Sequence, residues 1–197
     1  MLIFRSILAD WNDVPTTSMK PTIIEGDRIF INKMAYDIRI PFTHISLLRL
    51  AEPKHNDIII FDSKNSNKRL VKRVIGIPGD RVSMKNNVLT INSDTLSYID
   101  KKHNDATIEQ LEILVDYRRT IKINKKGSSL SNFSAINVPQ DHYLVLGDNR
   151  DKSADSRLIG FIPRNEIVGK TNSVFFSLNP KKYFLPRTER FFYSFQQ

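Results

Sequence analysis

Asp57-Ile58-Ile59-Ile60-Phe61, the polar stretch Asn65-Ser66-Asn67-Lys68, and then Arg69-Leu70-Val71-Lys72-Arg73-Val74-Ile75-Gly76-Ile77-Pro78-Gly79-Asp80 decide the fold class. Two short β-branched runs around a polar turn read as an antiparallel hairpin, and the second run stops at a Gly-x-Pro-Gly-Asp turn. Working outward, segments of the same kind recur at Arg28–Asn32, Val88–Ile91, Thr120–Ile123, Tyr143–Leu146 and Ile167–Ser177. The expectation is a mainly β fold, an antiparallel β-sheet domain with a small inserted β-rich lobe. The spacing of Ile108, Leu111 and Val115 allows either a helix or a strand pair over Thr107–Arg118, and periodicity leaves both open. Lys101–Ala106 and Lys125–Asn132 read as loops, and no internal repeat is visible. The expected organisation is a core of residues 10–83 and 138–179, an inserted lobe of 84–137, and a basic aromatic tail of 180–197. Residues 1–9 read as the remnant of a membrane anchor or as an interfacial segment.

The length of 197 residues suits one domain with an inserted lobe. Lys and Arg number 30 against 21 Asp and Glu, a net of +9, so nucleic acid, anionic lipid and acidic protein are all compatible partners on charge alone. The absence of Cys removes disulfides, iron–sulfur clusters, thiol nucleophiles and Cys-based zinc sites. No apolar run exceeds four residues, whereas a spanning helix needs roughly 20. Between Phe175 and Phe195 lie 8 of the 19 aromatic residues, interleaved with cations. That mixture suits a membrane interface, single-strand nucleic-acid stacking, or a final strand with a tail docked through its rings.

Three flanks of the lobe hold residues suited to chemistry. In Pro15-Thr16-Thr17-Ser18-Met19-Lys20-Pro21-Thr22 two prolines keep Ser18 out of a helix and on a stiff loop, although a serine between prolines is commonly an ordinary turn residue. A serine attacks only when a base removes its proton. The histidines, His44, His55, His103 and His142, stand in no recognisable triad or zinc context. Lys72 is the other candidate base, because an ammonium inside an apolar strand is poorly solvated and its neutral form becomes accessible. The alternative for Lys72 is a strand lysine reaching out to solvent. Arg73 stays charged, and Lys68 closes a polar loop. The third flank, Gly147-Asp148-Asn149-Arg150-Asp151-Lys152-Ser153-Ala154-Asp155-Ser156-Arg157, suits a loop fixed by its own ion pairs or a solvated charged turn. It lacks the register and closing Glu of a calcium loop.

Taken in order, Ser-Met-x-Pro-Thr, Gly26-Asp27-Arg28-Ile29-Phe30-Ile31-Asn32-Lys33, Lys-Arg-x-Ile-Gly-x-Pro-Gly-Asp and Gly-Asp-Asn-Arg-Asp-x-Ser-x-Asp-Ser-Arg resemble the motif set of type I signal peptidases, from about Phe4 to Gly169. The resemblance implies a serine endopeptidase that removes signal peptides from exported preproteins, with no cofactor and no metal, at the extracytoplasmic face of an inner or plasma membrane. It implies Ser18 as nucleophile and Lys72 as general base. It further implies an oxyanion site formed by the Ser18 N–H and the Thr16 hydroxyl, Ser153 hydrogen-bonded to the lysine amine, and Met19 lining the substrate pocket. Asp148, Arg150, Asp155 and Arg157 are expected to hold the Ser153 loop. The expected partners are signal peptides, cut after small residues in an Ala-x-Ala pattern, and an anionic membrane surface; no nucleic acid is expected, and the chain is expected to be a monomer.

The chain departs from the pattern at Lys152, where the family commonly has Asn, and at Thr17, where it often has Gly. The resemblance also implies a spanning helix ahead of the serine motif, of which Met1–Ala9 would be the end. Three other readings compete: a conjugation-type, pilin-processing peptidase with the same Ser–Lys chemistry, a self-cleaving Ser–Lys repressor, and a non-catalytic basic β module binding anionic lipid or nucleic acid. The repressor needs an Ala-Gly cleavage site, which this sequence lacks.

Overall fold

The structure, a computed structural model, describes residues 9–40, 46–114 and 117–195, the first five by backbone alone. The strands are β1 (Ala9–Asp13), β2 (Asp27–Asn32), β3 (Asp37–Arg39), β4 (Ser46–Arg49), β5 (Ile58–Ser63), β6 (Lys68–Gly76), β7 (Arg81–Lys85), β8 (Val88–Ile91) and β9 (Asp94–Thr95). They continue with β10 (Ser97–His103), β11 (Thr107–Leu114), β12 (Tyr117–Asn124), β13 (Phe133–Asn137), β14 (His142–Leu146), β15 (Ile162–Pro163), β16 (Ile167–Thr171), β17 (Val174–Asn179) and β18 (Leu185–Pro186). One turn of helix, α1 (Ser156–Ile159), follows β14. The mainly antiparallel β expectation holds.

β5 and β6 form the expected hairpin, with Ile60 opposite Val71 and Ile59 opposite Lys72. It lies inside the largest sheet, whose order is β15-β14-β6-β5-β16-β2-β17-β18, with β1 added against β2. Along β6 burial rises from exposed Lys68 and Arg69 to a fully enclosed Lys72–Gly76 segment, because β14 covers its second edge only from Arg73 onward. Two apolar clusters share this sheet: Met19, Ile23, Ile29, Ile31, Ile58 and Ile60 in one, and Tyr36, Ile59, Phe61, Val74, Tyr143 and Val145 in the other.

Residues between Arg81 and Asn137 build two smaller sheets, β13-β7-β8-β9 and β10-β11-β12. The first shares a core with the large sheet, since Val82, Met84, Leu89 and Ile91 pack with Ile75, Leu144 and Leu146. The undecided segment Thr107–Arg118 is a strand pair, with Leu114 opposite Tyr117. Lys101–His103, expected as loop, extends β10, with Lys102 opposite Glu109 and His103 opposite Ile108 in the register with β11. The expected single strand Ile167–Ser177 is broken into β16 and β17. Residues 1–8 and His44 lie outside the described residues. Among the described residues no helix is long and apolar enough to cross a membrane.

Candidate active site

Ser18 stands at the start of a tight turn between β1 and β2, closed by Lys20 N–H to Thr17 O (3.1 Å) and Ile23 N–H to Met19 O (2.9 Å). The two prolines leave this stretch without strand pairing, as their missing N–H groups require. The turn is anchored from below by Met19, which is only 1% exposed and packs with Val14, Ile23, Ile29 and Ile31. Met19 therefore lies within the core beneath the serine, not on an open surface.

β6 brings Lys72 to the same point. Its Nζ lies 2.8 Å from Ser18 Oγ and 2.9 Å from the Val71 carbonyl oxygen, and the side chain is 2% exposed. Burial lowers the Lys72 pKa from its ordinary value to about 8, with Asp155 and Asp148 pulling weakly the other way. The alternative of a solvated strand lysine is thereby removed. Thr16 Oγ1 sits 3.4 Å from Ser18 Oγ, so the two hydroxyls lie side by side, as their two-residue spacing suggests.

The loop after β14 passes against both residues. Gly147 is where it comes closest: a Cβ there would overlap Ser153 Oγ and approach Ser18 O at 2.5 Å, so no other residue type fits. Asn149 N–H donates to Ser18 O (3.0 Å), and the Asn149 side-chain amide donates to Thr17 O (3.0 Å). Asp148 accepts Nε and Nη2 of Arg73 at 2.8 and 2.7 Å and the Thr22 hydroxyl at 2.5 Å. Asp155 caps α1, accepts the Gly147 N–H at 3.0 Å and takes a bidentate pair from Arg157 at 2.8 and 2.7 Å. Arg157 also donates to Arg150 O at 2.6 Å, closing the loop on itself.

Of the residues singled out from sequence, Ser18, Lys72, Thr16, Asp148, Arg150, Asp155 and Arg157 come together here. Ser153 is buried beside Gly147, but its Oγ has no hydrogen-bond partner, and the expected bond to the lysine amine is not made. Lys72 spends its contacts on Ser18 and on its own strand's carbonyl instead. Lys152 is exposed and does not contribute to the Lys72 shift. Thr17 keeps its carbonyl bonded to Lys20 N–H and to Asn149. The described histidines bond elsewhere: His55 to Asp80 at 2.6 Å, His103 to Asp100 at 3.1 Å, and His142 to Gln140 O at 2.8 Å.

Sequence reasoning missed Arg73, Thr22, Asn149 and Glu112. The signal for Glu112 lay in hairpin register, because the pairing that sets Leu114 opposite Tyr117 also puts Glu112 directly opposite Arg119.

The tail is both docked and exposed. Arg190 pairs with Asp27 at 3.0 and 2.6 Å and donates to Thr22 O at 3.0 Å, while Arg187 donates to Glu25 O at 2.9 Å. Phe175 meets Phe192 edge-on at 5.4 Å and Phe176 meets Phe191 at 6.2 Å. Tyr183 is 97% and Phe192 72% exposed, with Phe30, Phe175, Phe184 and Leu185 also open to solvent.

The family model described as signal peptidase, peptidase S26, matches residues 1–176. A signal peptidase I from Pseudomonas fluorescens is 31% identical over 96% of this chain and 73% of its own length, and one from Pseudomonas aeruginosa matches with the same figures. A signal peptidase I from Bacillus licheniformis is 32% identical over 90% of this chain and 82% of its own length.

Proposed function

Because the chain belongs to the signal peptidase, peptidase S26, family, and is thus a serine endopeptidase, we propose that Ser18 and Lys72 are its catalytic dyad. On this reading it removes signal peptides at a membrane surface, on the extracytoplasmic side, cutting after small residues in an Ala-x-Ala pattern. The observation that carries the proposal is the 2.8 Å contact between Ser18 Oγ and a buried Lys72 Nζ whose pKa lies near 8.

The chemistry follows from that contact. Neutral Lys72 accepts the Ser18 hydroxyl proton as Oγ attacks the scissile carbonyl, and the resulting ammonium then protonates the departing amine. The peptide's N-terminal portion is left esterified to Ser18, and a water activated by the same amine hydrolyses it. The Thr16 hydroxyl, beside the nucleophile, and the Ser18 N–H are suited to stabilise the oxyanion, a contribution of about 3 kcal/mol per donor. Burial of the amine matters because a fully hydrated lysine, with a pKa of about 10.4, is protonated at neutral pH and cannot act as a base.

The membrane part of the reading is supported by the open rings of Phe30, Phe175, Phe184 and Phe192 beside the cations of the tail, a mixture that suits the headgroup boundary. The tail arginine Arg190 holds Asp27 and the Thr22 carbonyl of the serine turn, so the aromatic surface and the nucleophile are mechanically linked. The relatives' shared name supports preproteins over pilins as the substrate class. The non-catalytic basic module has no comparable support.

The test is cleavage of a preprotein with an Ala-x-Ala segment by the purified protein in lipid vesicles. Ser18→Ala and Lys72→Met are each expected to abolish product while retaining the wild-type circular dichroism spectrum. A folded variant of either kind that still cleaves at the wild-type rate removes the dyad.

A further inference from the structure

Glu112 belongs to the lobe, on β11, yet its carboxylate reaches the loop that carries Ser153. Oε2 accepts the Nε of Arg119, its cross-strand neighbour, and Arg150 Nη2 at 2.7 Å; Oε1 accepts the Tyr98 hydroxyl at 2.7 Å. All three members of this Arg119–Glu112–Arg150 triad are buried. Burial alone would raise the Glu112 pKa, but the two guanidinium groups outweigh it and hold the carboxylate at about 2. Arg119 Nη2 and Arg150 Nε and Nη1 are buried with no hydrogen-bond partner.

One carboxylate shared by two buried cations, with three guanidinium nitrogens unpaired, is a poor way to gain stability. Apolar side chains of similar volume in place of such triads are often neutral or stabilising. What the triad does supply is a fixed position for Arg150. The residues just before it are held from two sides. Lys122 N–H, on β12, donates to Asp148 O at 2.8 Å, and on the other side Asn149 N–H donates to Ser18 O at 3.0 Å. Segment 148–150 is therefore wedged between the lobe hairpin and the nucleophile's own backbone.

We propose that Glu112 is a positioning residue for peptide hydrolysis: by fixing Arg150 it seats segment 148–150 between β12 and the serine turn, and so sets Ser18 against Lys72. The inserted lobe then has a part in the reaction even though no side chain of it need touch the substrate. This rests on the Ser18–Lys72 reading above.

The experiment compares wild type with a triple variant, Glu112→Leu, Arg119→Met and Arg150→Met, on a soluble signal-peptide substrate, with Ser18→Ala alongside. The triple variant is expected to unfold at or above the wild-type temperature. Its kcat should nevertheless fall roughly ten- to a hundredfold, the scale of a misplacement of about 1 Å, with KM within about twofold. Its rate should also reach half-maximum at a higher pH than in wild type, because a loosened loop admits water to Lys72 and returns its pKa toward the ordinary lysine value. A folded triple variant with wild-type kcat and pH dependence overturns the proposal. So does a triple variant that fails to fold, since the triad would then be a stability element. Activity persisting in Ser18→Ala would instead refute the dyad itself.

Discussion

The Gly147–Arg157 loop and the Phe175–Phe195 tail both mix cations with other functional groups, and both look like surface segments by composition. Their fates are opposite. In the loop, Arg150 and Arg157 are buried against Glu112 and Asp155, and Asp148 is spent on Arg73. In the tail, Arg187 and Arg190 are used to tie the chain to the serine turn, and rings such as Tyr183 and Phe192 are left facing solvent. Arginine thus does two jobs. Enclosed against carboxylates, it fixes the shape of a loop; at the edge, with its partners on the body of the protein, it ties down a segment whose rings stay open to solvent.

If the loop is the segment that sets geometry, the largest effect should come from its closest approach. Gly147→Ala would push a methyl group into the Ser153 side chain and the backbone carbonyl of Ser18, and the latter cannot swing away. We expect kcat to fall by about a hundredfold or more, the loss that small displacements of reacting groups produce. Steady-state kinetics on a soluble peptide reads this directly. Wild-type kcat in this variant would mean the loop does not constrain Ser18.

The next effect is on stability. Asp148→Ala leaves the Arg73 guanidinium buried without its counter-charge, which typically costs about 3–5 kcal/mol. Urea unfolding should show the loss as a lower midpoint at unchanged slope. A difference below about 1 kcal/mol, the range of exposed ion pairs, would place Asp148 at the surface in solution.

The smallest catalytic effect should come from the tail. Phe184→Ser with Phe192→Ser removes exposed rings and no contact of the active site. Hydrolysis of a soluble peptide should stay within about twofold, since uniform truncation far from the reacting atoms leaves kcat unchanged. Binding to anionic vesicles should weaken by roughly tenfold or more, given about 1.5–3 kcal/mol for each large apolar side chain withdrawn from an apolar phase. Equal losses in both assays would erase the division of labour between loop and tail.

How much of this was legible in the sequence depended on distance along the chain. The β5–β6 hairpin was readable because its two strands are separated by a short polar turn, and local alternation carries that information. Ser18, Lys72 and the loop residues were readable as a motif set in a fixed order. The partner of Arg73 was not, because Asp148 lies 75 positions away and only the β14–β6 pairing brings them together. Glu112 was hidden for the same reason: its partner Arg150 is 38 residues on, in a different sheet's connection. Ser153 was misread in its contact, since motif position places a residue in the loop but does not fix where its hydroxyl points. The tail was open between docked and interfacial readings, and both describe part of it, because composition cannot say which atoms of an Arg–Phe mixture face inward.

The dyad itself is tested most directly by the pH dependence of kcat/KM for the wild-type enzyme on a soluble signal-peptide substrate. Lys72 must be neutral to accept the Ser18 proton, and burial holds its pKa near 8. Activity should therefore be low at pH 6, rise through a single ionisation with an apparent pKa near 8, and level off above it. A rising limb centred near the ordinary lysine value of about 10.4, or a rate that does not change between pH 6 and pH 9, would contradict a buried lysine as the base.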